Sequence, residues 1–256
     1  LDPLTKNIIC FTKSFKKWCF LINDFKKVIV RDNKKGINLL TQFLNTFDSE
    51  GTTFVTFKSK WTCHNCNCQC TQLFAIRAKL VLPLYQKVKE KFSDQLHFEC
   101  YDYVDLAWRH SYCGLFSMER DGVTWYFLDN EQYFRRPELL RYMDDGERFG
   151  FFPGRVRMLG HFKFWPDVIH CNDWQTACAI YLKDDGVRED RFRSIKTTLT
   201  IHNIEYQGRY GKETLGDLFG LDHGWADDGT ILMDGDVNLL KGAILCADAV
   251  NAVSPT

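Results

Sequence analysis

The feature that most constrains this chain is a unit repeated between Trp165 and Gly208: a short apolar run that ends abruptly in polar residues, followed by a helical segment. Pro166-Asp167-Val168-Ile169-His170-Cys171 ends in Asn172-Asp173-Trp174, and a helix-like stretch from Gln175 to Lys183 follows at once. Thr197-Thr198-Leu199-Thr200-Ile201 is β-branched and apolar and ends in His202-Asn203. A third unit closes the chain: Asn238 to Ala247 has helical apolar spacing, and Ala249-Val250-Asn251-Ala252-Val253 is a short strand ending in Ser254-Pro255-Thr256. Short apolar runs alternating with helices predict buried strands of a parallel sheet, covered on both faces. The expected class is α/β. In open sheets of this kind ligands bind outside the carboxyl ends of the strands, which makes Asp173, Trp174, His202 and Asn203 candidate site residues. A structural reading competes: Asn172 or Asp173 caps the next helix, Trp174 is a core tryptophan and His202 a buried histidine.

The whole-chain quantities exclude more than they assign. A length of 256 residues suits one large α/β domain or two small ones. Lys plus Arg and Asp plus Glu balance at 33 each, so no global field points to nucleic acid or a membrane surface. No apolar run approaches the roughly 20 residues that span a bilayer, and the start, LDPLTKNIICFTKSF, lacks the layout of a signal peptide. The 11 cysteines are too irregularly spaced in too long a chain for a disulfide scaffold. Cys171, Cys178 and Cys246 sit in apolar contexts expected of reduced, buried thiols in a cytoplasmic protein.

Five segments, PDVIHCNDWQTA (166–177), TIHNIEYQGRY (200–210), FLDNEQYF (127–134), YMDDGERF (142–149) and NAVSPT (251–256), together resemble bacterial glycogen synthases and plant starch synthases. Their order and spacing match the amino-terminal catalytic domain of that family, and the likeness covers about residues 78 to 256. It implies a Rossmann-like parallel sheet flanked by helices, the amino-terminal half of a GT-B glycosyltransferase. The implied reaction transfers glucose from ADP-glucose to the non-reducing end of an α-1,4-glucan with retention, in the cytoplasm, or in a plastid for a plant or alga. It needs no metal or other cofactor, because basic side chains and backbone amides neutralise the diphosphate. By the same resemblance His202 contacts the transferred glucose near its 6-hydroxyl, and Asn203 orients the loop. Asp173 and Trp174 line the glucan side of the cleft. Gln175 stands where many members carry His, and Tyr133 and Tyr142 are weaker acceptor-side candidates.

The remaining sequence departs from the family. Residues 1–77 are unassigned and, as a working expectation, foreign to the fold; they carry no Lys-Thr-Gly-Gly-Leu-Ala-Asp donor loop, and Lys34-Lys35-Gly36 is the nearest fragment. Cys63-His64-Asn65-Cys66-Asn67-Cys68-Gln69-Cys70 offers soft ligands, yet its single-residue spacings differ from the paired C-x₂-C layout of zinc sites, so no metal site is assigned. From Ala78 the chain reads as a buried strand stopped by Pro83, then strands over Phe98–Tyr103, Ser111–Met118 and Val123–Leu128, the last two joined at Arg120-Asp121-Gly122. Asp144-Asp145-Gly146-Glu147-Arg148 opens a helix, and Pro153-Gly154, where the family continues it unbroken, predicts a kink, an early stop or a local sequence error. The family's nucleotide-binding half is expected beyond Thr256, so this stretch alone is expected to be inactive. A non-catalytic glucan-binding or metal-binding protein, or another GT-B glycosyltransferase, are the competing functions.

Overall fold

A computed structural model describes residues 4–11, 42–47, 53–62, 69–120, 123–162 and 164–253. The strands are β1 (Leu4–Phe11), β2 (Gln42–Phe47), β3 (Thr53–Thr62), β4 (Gln69–Pro83), β5 (His97–Leu106), β6 (Arg109–Arg120), β7 (Val123–Asp129), β8 (Val168–Asn172), β9 (Lys196–Ile201) and β13 (Ala249–Ala252). They form one sheet in the order β13-β9-β8-β1-β4-β7-β6-β5, with β3 on the first half of β4 and β2 on β3. From β13 to β7 every neighbour along that order runs parallel. β5, β6 and β7 are joined antiparallel, and the Arg120↔Val123 pair confirms the expected hairpin. Its two turn residues, 121–122, lie outside the described residues.

The strands are apolar because helices cover them. Leu80, Val81 and Leu82 of β4 are fully buried, and so are Phe127 and Leu128 of β7. They share one core with α3 (Asp145–Gly154) and α4 (Cys178–Arg188), and the short α1 (Gln86–Lys91), α2 (Glu131–Phe134) and α5 (Asp190–Arg193) lie next to strands in sequence. Phe149, Phe151 and Phe152 of α3 and Ile180 and Tyr181 of α4 are at most 1% exposed. Pro153-Gly154 acts as the expected early stop: α3 ends at Gly154, and the chain tightens into a 3₁₀ segment over Arg155–His161. After β9, β10 (Arg209–Gly211), β11 (Leu232–Met233) and β12 (Asp236–Asn238) form a three-stranded sheet, and α6 (Thr214–Phe219) and α7 (Gly224–Asp227) lie between β10 and β11 in sequence. The last helix, α8 (Leu239–Cys246), then leads into β13.

Residue 78 is not a boundary of this sheet. β1 lies inside it, pairing parallel with β4 from Leu4↔Phe74 to Phe11↔Val81 and with β8 from Ile8↔Val168 to Cys10↔His170. A segment expected to lie outside the fold therefore supplies a central strand. Its continuous Ile8-Ile9-Cys10-Phe11 run has no period-2 alternation to betray it, as is usual for a strand covered on both faces. Lys34-Lys35-Gly36 and Cys63–Cys68 fall outside the described residues, so the loop comparison and the metal question are untouched. Among the described residues no cluster of His, Cys, Asp or Glu is arranged to hold a metal, and no helix is long and apolar enough to cross a membrane.

Candidate functional site

β8 and β9 are parallel neighbours with Asn172 opposite Thr200, so both chains leave the sheet on the same side. This brings Asp173 and His202 together. Asp173 Oδ1 accepts from the backbone N–H of His202 at 2.7 Å and of Asn203 at 3.3 Å, and its own N–H donates to Thr200 O at 3.0 Å. It makes no side-chain cap to the Trp174–Thr176 turn that follows it. The carboxylate thus serves the neighbouring strand's loop, and Thr176, whose Oγ1 donates to Asn172 O at 2.9 Å, closes the local turn instead. Asp173 is 3% exposed and sits at φ 58°, ψ −177°, a region that side chains other than glycine's rarely adopt.

The imidazole of His202 is half-buried, with Nε2 2.8 Å from Asn172 Oδ1. Asn203 is exposed, and its Oδ1 accepts from Glu205 N at 2.9 Å, folding the loop into an Asx turn. The far end of this loop is tied to α8: Leu239 N and Leu240 N donate to the carbonyls of Gly208 and Gln207 at 3.1 and 3.0 Å. Asn238, the N-cap of α8, accepts from Lys241 N and gives its amide to Gln207 Oε1 at 2.7 Å.

The other expected residues are placed differently. Trp174 is enclosed, edge-on to Phe149 and Tyr210 with centroids 5.6 and 6.0 Å away. Gly208, at φ 65°, lies so close to the indole that a Cβ there would be 2.6 Å from Cδ2 and Cε3. An indole packed this way holds the His202 loop to the core and offers no open face. Gln175 is likewise buried. Tyr133 is 1% exposed in α2 and donates its hydroxyl to Glu147; burial and that carboxylate push its pKa up to about 12. Tyr142 has the guanidinium groups of Arg148 and Arg136 over its ring, 4.9 and 4.8 Å from the centroid, and its hydroxyl accepts from Glu138 N at 3.0 Å. Their partners belong to the opening of α3 and the loop before it.

A second layer beneath the strand ends was not foreseen. His170, 1% exposed, places Nδ1 3.6 Å from Cys10 Sγ and Nε2 2.7 Å from Thr200 Oγ1. Thr200 in turn donates to Asn251 Oδ1 at 2.7 Å, and Asn172 Nδ2 donates to Cys10 Sγ at 3.3 Å. Burial, then the charge of His202, pull the pKa of His170 down to about 3, so it is neutral at physiological pH. The only signal of this layer in the sequence is a polar residue inside each apolar run: His170 in VIHC, Thr200 in TLTI and Asn251 in AVNAV.

The fold is that of one Rossmann-like half of a GT-B glycosyltransferase. Residues 71–256 match the starch synthase catalytic domain family, and the chain belongs to that family. It is 46% identical over 179 residues to the glycogen synthase of Lactobacillus acidophilus, covering 69% of this chain and 38% of that protein. It is 47% identical over 180 residues to the glycogen synthase of Ligilactobacillus salivarius, covering 70% and 38%. The chain therefore matches little more than a third of the length of these curated relatives. Among solved structures, the catalytic domain of Starch Synthase IV from Arabidopsis thaliana, bound to ADP and acarbose, superposes with a TM-score of 0.61. That alignment covers 100% of this chain and 46% of the other at 18% identity, a likeness of fold.

Proposed function

We propose that this chain is the acceptor-side half of a glucan synthase, which transfers glucose from ADP-glucose to the non-reducing end of an α-1,4-glucan with retention. The observation that carries the reading is the pairing of His202 with Asn172 and Asp173 at adjacent parallel strand ends, in the segments most like the family. His202 contacts the glucose being transferred, Asn203 shapes its loop, and Asp173 is a positioning residue that fixes the loop's backbone. Trp174 supports that loop from below with Gln175 buried beside it in the chain, and Tyr133 and Tyr142 stiffen the opening of α3. The ADP and acarbose named for the Arabidopsis structure support a nucleotide and a carbohydrate as ligands of the complete enzyme. A reaction of this type depends on holding donor and acceptor together, which can supply about 7–11 kcal/mol of the barrier. This chain alone is therefore expected to show no glucosyl transfer from ADP-glucose. Nuclear magnetic resonance shift mapping with a maltooligosaccharide tests the acceptor reading. Perturbations confined to the 202–207 loop and its neighbours are expected; saturable shifts elsewhere, or transfer by the chain alone, would refute it.

A further inference from the structure

The buried polar layer under the strand ends has a direction, and that direction reaches His202. The Asn251 carbonyl oxygen accepts only, so Thr200 Oγ1 spends its single proton on it at 2.7 Å. Toward His170 Nε2, also at 2.7 Å, the hydroxyl therefore accepts, and the imidazole carries its proton on Nε2. His170 Nδ1 is then an acceptor, and across 3.6 Å it faces the thiol of Cys10 as donor. The same sulfur accepts from Asn172 Nδ2 at 3.3 Å, which turns Asn172 Oδ1 toward His202 Nε2 at 2.8 Å. A carbonyl oxygen cannot donate, so His202 also holds a proton on Nε2, and in the neutral ring Nδ1 keeps the lone pair.

We propose that the relay Asn251–Thr200–His170–Cys10–Asn172 sets the tautomer of His202, with Asn172 as the positioning residue in direct contact. The relay joins four neighbouring strands, β13, β9, β8 and β1, so it is fixed by the register of the sheet and not by a mobile loop. The inference deepens the function proposed above and rests on it: a neutral His202 with its lone pair on Nδ1 accepts from a sugar hydroxyl, whereas the other tautomer donates to one. Turning the Asn251 amide over would move the His170 proton to Nδ1 and free the Cys10 proton; where that proton then passes to Asn172 Oδ1, the His202 proton moves to Nδ1 as well, the tautomer less favoured by a free histidine side chain. The two directions are therefore distinct and measurable.

The test uses the 256-residue chain labelled with ¹⁵N-histidine and long-range ¹H–¹⁵N correlation, read on the neutral rings at the alkaline end of a pH series. Both His170 and His202 are expected as single Nε2–H tautomers, with the His202 proton shielded from solvent exchange. Asn172→Ala and Cys10→Ala are expected to convert His202 to an exchanging mixture and remove that protection. Cys10→Ser, which keeps one donor and one acceptor, restores the single tautomer. A His202 carrying its proton on Nδ1 overturns the proposal, as does full protection retained in Asn172→Ala. If Asn172→Ala does not fold, the contrast between Cys10→Ala and Cys10→Ser decides on the same criterion. Maltooligosaccharide titration of the same sample separates the two readings. A fixed Nε2–H tautomer with no sugar-induced shift at His202 upholds the relay and removes the function it was proposed to serve.

Discussion

Asp173 carries two opposed energies that substitution can pull apart. Its backbone, at φ 58° and ψ −177°, lies in a region costing of order 1–3 kcal/mol for any residue with a Cβ. Its carboxylate accepts a strong 2.7 Å bond from His202 N and a weak 3.3 Å one from Asn203 N. A hydrogen bond to a charged group contributes about 1.5–3 kcal/mol, and the second, longer bond little. Asp173→Ala keeps the strain and loses the bond, so it is expected to destabilise the chain by about 2–3 kcal/mol. Asp173→Gly loses the same bond but relieves the strain; after the unfolded-state penalty of roughly 0.5–1 kcal/mol for glycine, its net cost is about 1 kcal/mol. The ordinary ranking, alanine above glycine, should therefore invert at this position. Urea denaturation of the three proteins gives the ranking, and amide exchange of His202 and Asn203 should quicken in both variants. An Asp173→Ala at least as stable as Asp173→Gly would refute the reasoning, because the strain would then be absent or the carboxylate idle.

Gly208→Ala places a methyl group 2.6 Å from the Trp174 ring at a φ of +65°, and is expected to cost about 2–4 kcal/mol, read as a lowered Tm with altered tryptophan emission. His170 has a folded pKa of about 3 against an ordinary 6.5, so the unfolded chain binds the proton first as pH falls. Its contribution is intact above pH 6.5 and is lost progressively down to about pH 3, amounting to roughly 4–5 kcal/mol at most; His170→Gln should flatten that part of the stability–pH curve, and an unchanged slope would show that the imidazole is not buried neutral. A chain beginning at residue 78 lacks β1 and opens the sheet between β4 and β8, so it is expected to lose its cooperative melt; a truncated chain that melts as sharply as the parent would show that β1 contributes nothing.

What the sequence discloses here follows from how local each cause is. β7, β8, β9 and β13 were legible because each is a short apolar run with its own punctuation, and the start of α3 because acidic residues gather at its amino end. The contacts of Asp173 were not legible. Its choice between capping the next turn and holding the loop after β9 depends on β9 lying beside β8, a fact 29 residues away in sequence. The relay is more distant still, since Cys10 meets His170 across 160 positions. The resemblance names Trp174 and Tyr133 as acceptor-side candidates, but their neighbours Gly208 and Glu147, which pack on the one and bond the other, are 34 and 14 positions away and carry no such signal.

These contacts divide the loop after His202 into parts with different work. Its first residues hang from the Asp173 carboxylate, and its last two carbonyls fill donors at the amino end of α8 that would otherwise lack partners. Between those anchors Ile204 and Tyr206 are 55% and 60% exposed. The backbone between the two anchors loses little further freedom when something packs on it, so binding there costs mainly the rotamer freedom of these two side chains. The anchors govern where the loop sits, and the exposed middle governs what rests on it. On the function proposed above, a transfer that gains by holding two substrates in register would use this division to keep His202 in place beneath a bound glucan chain.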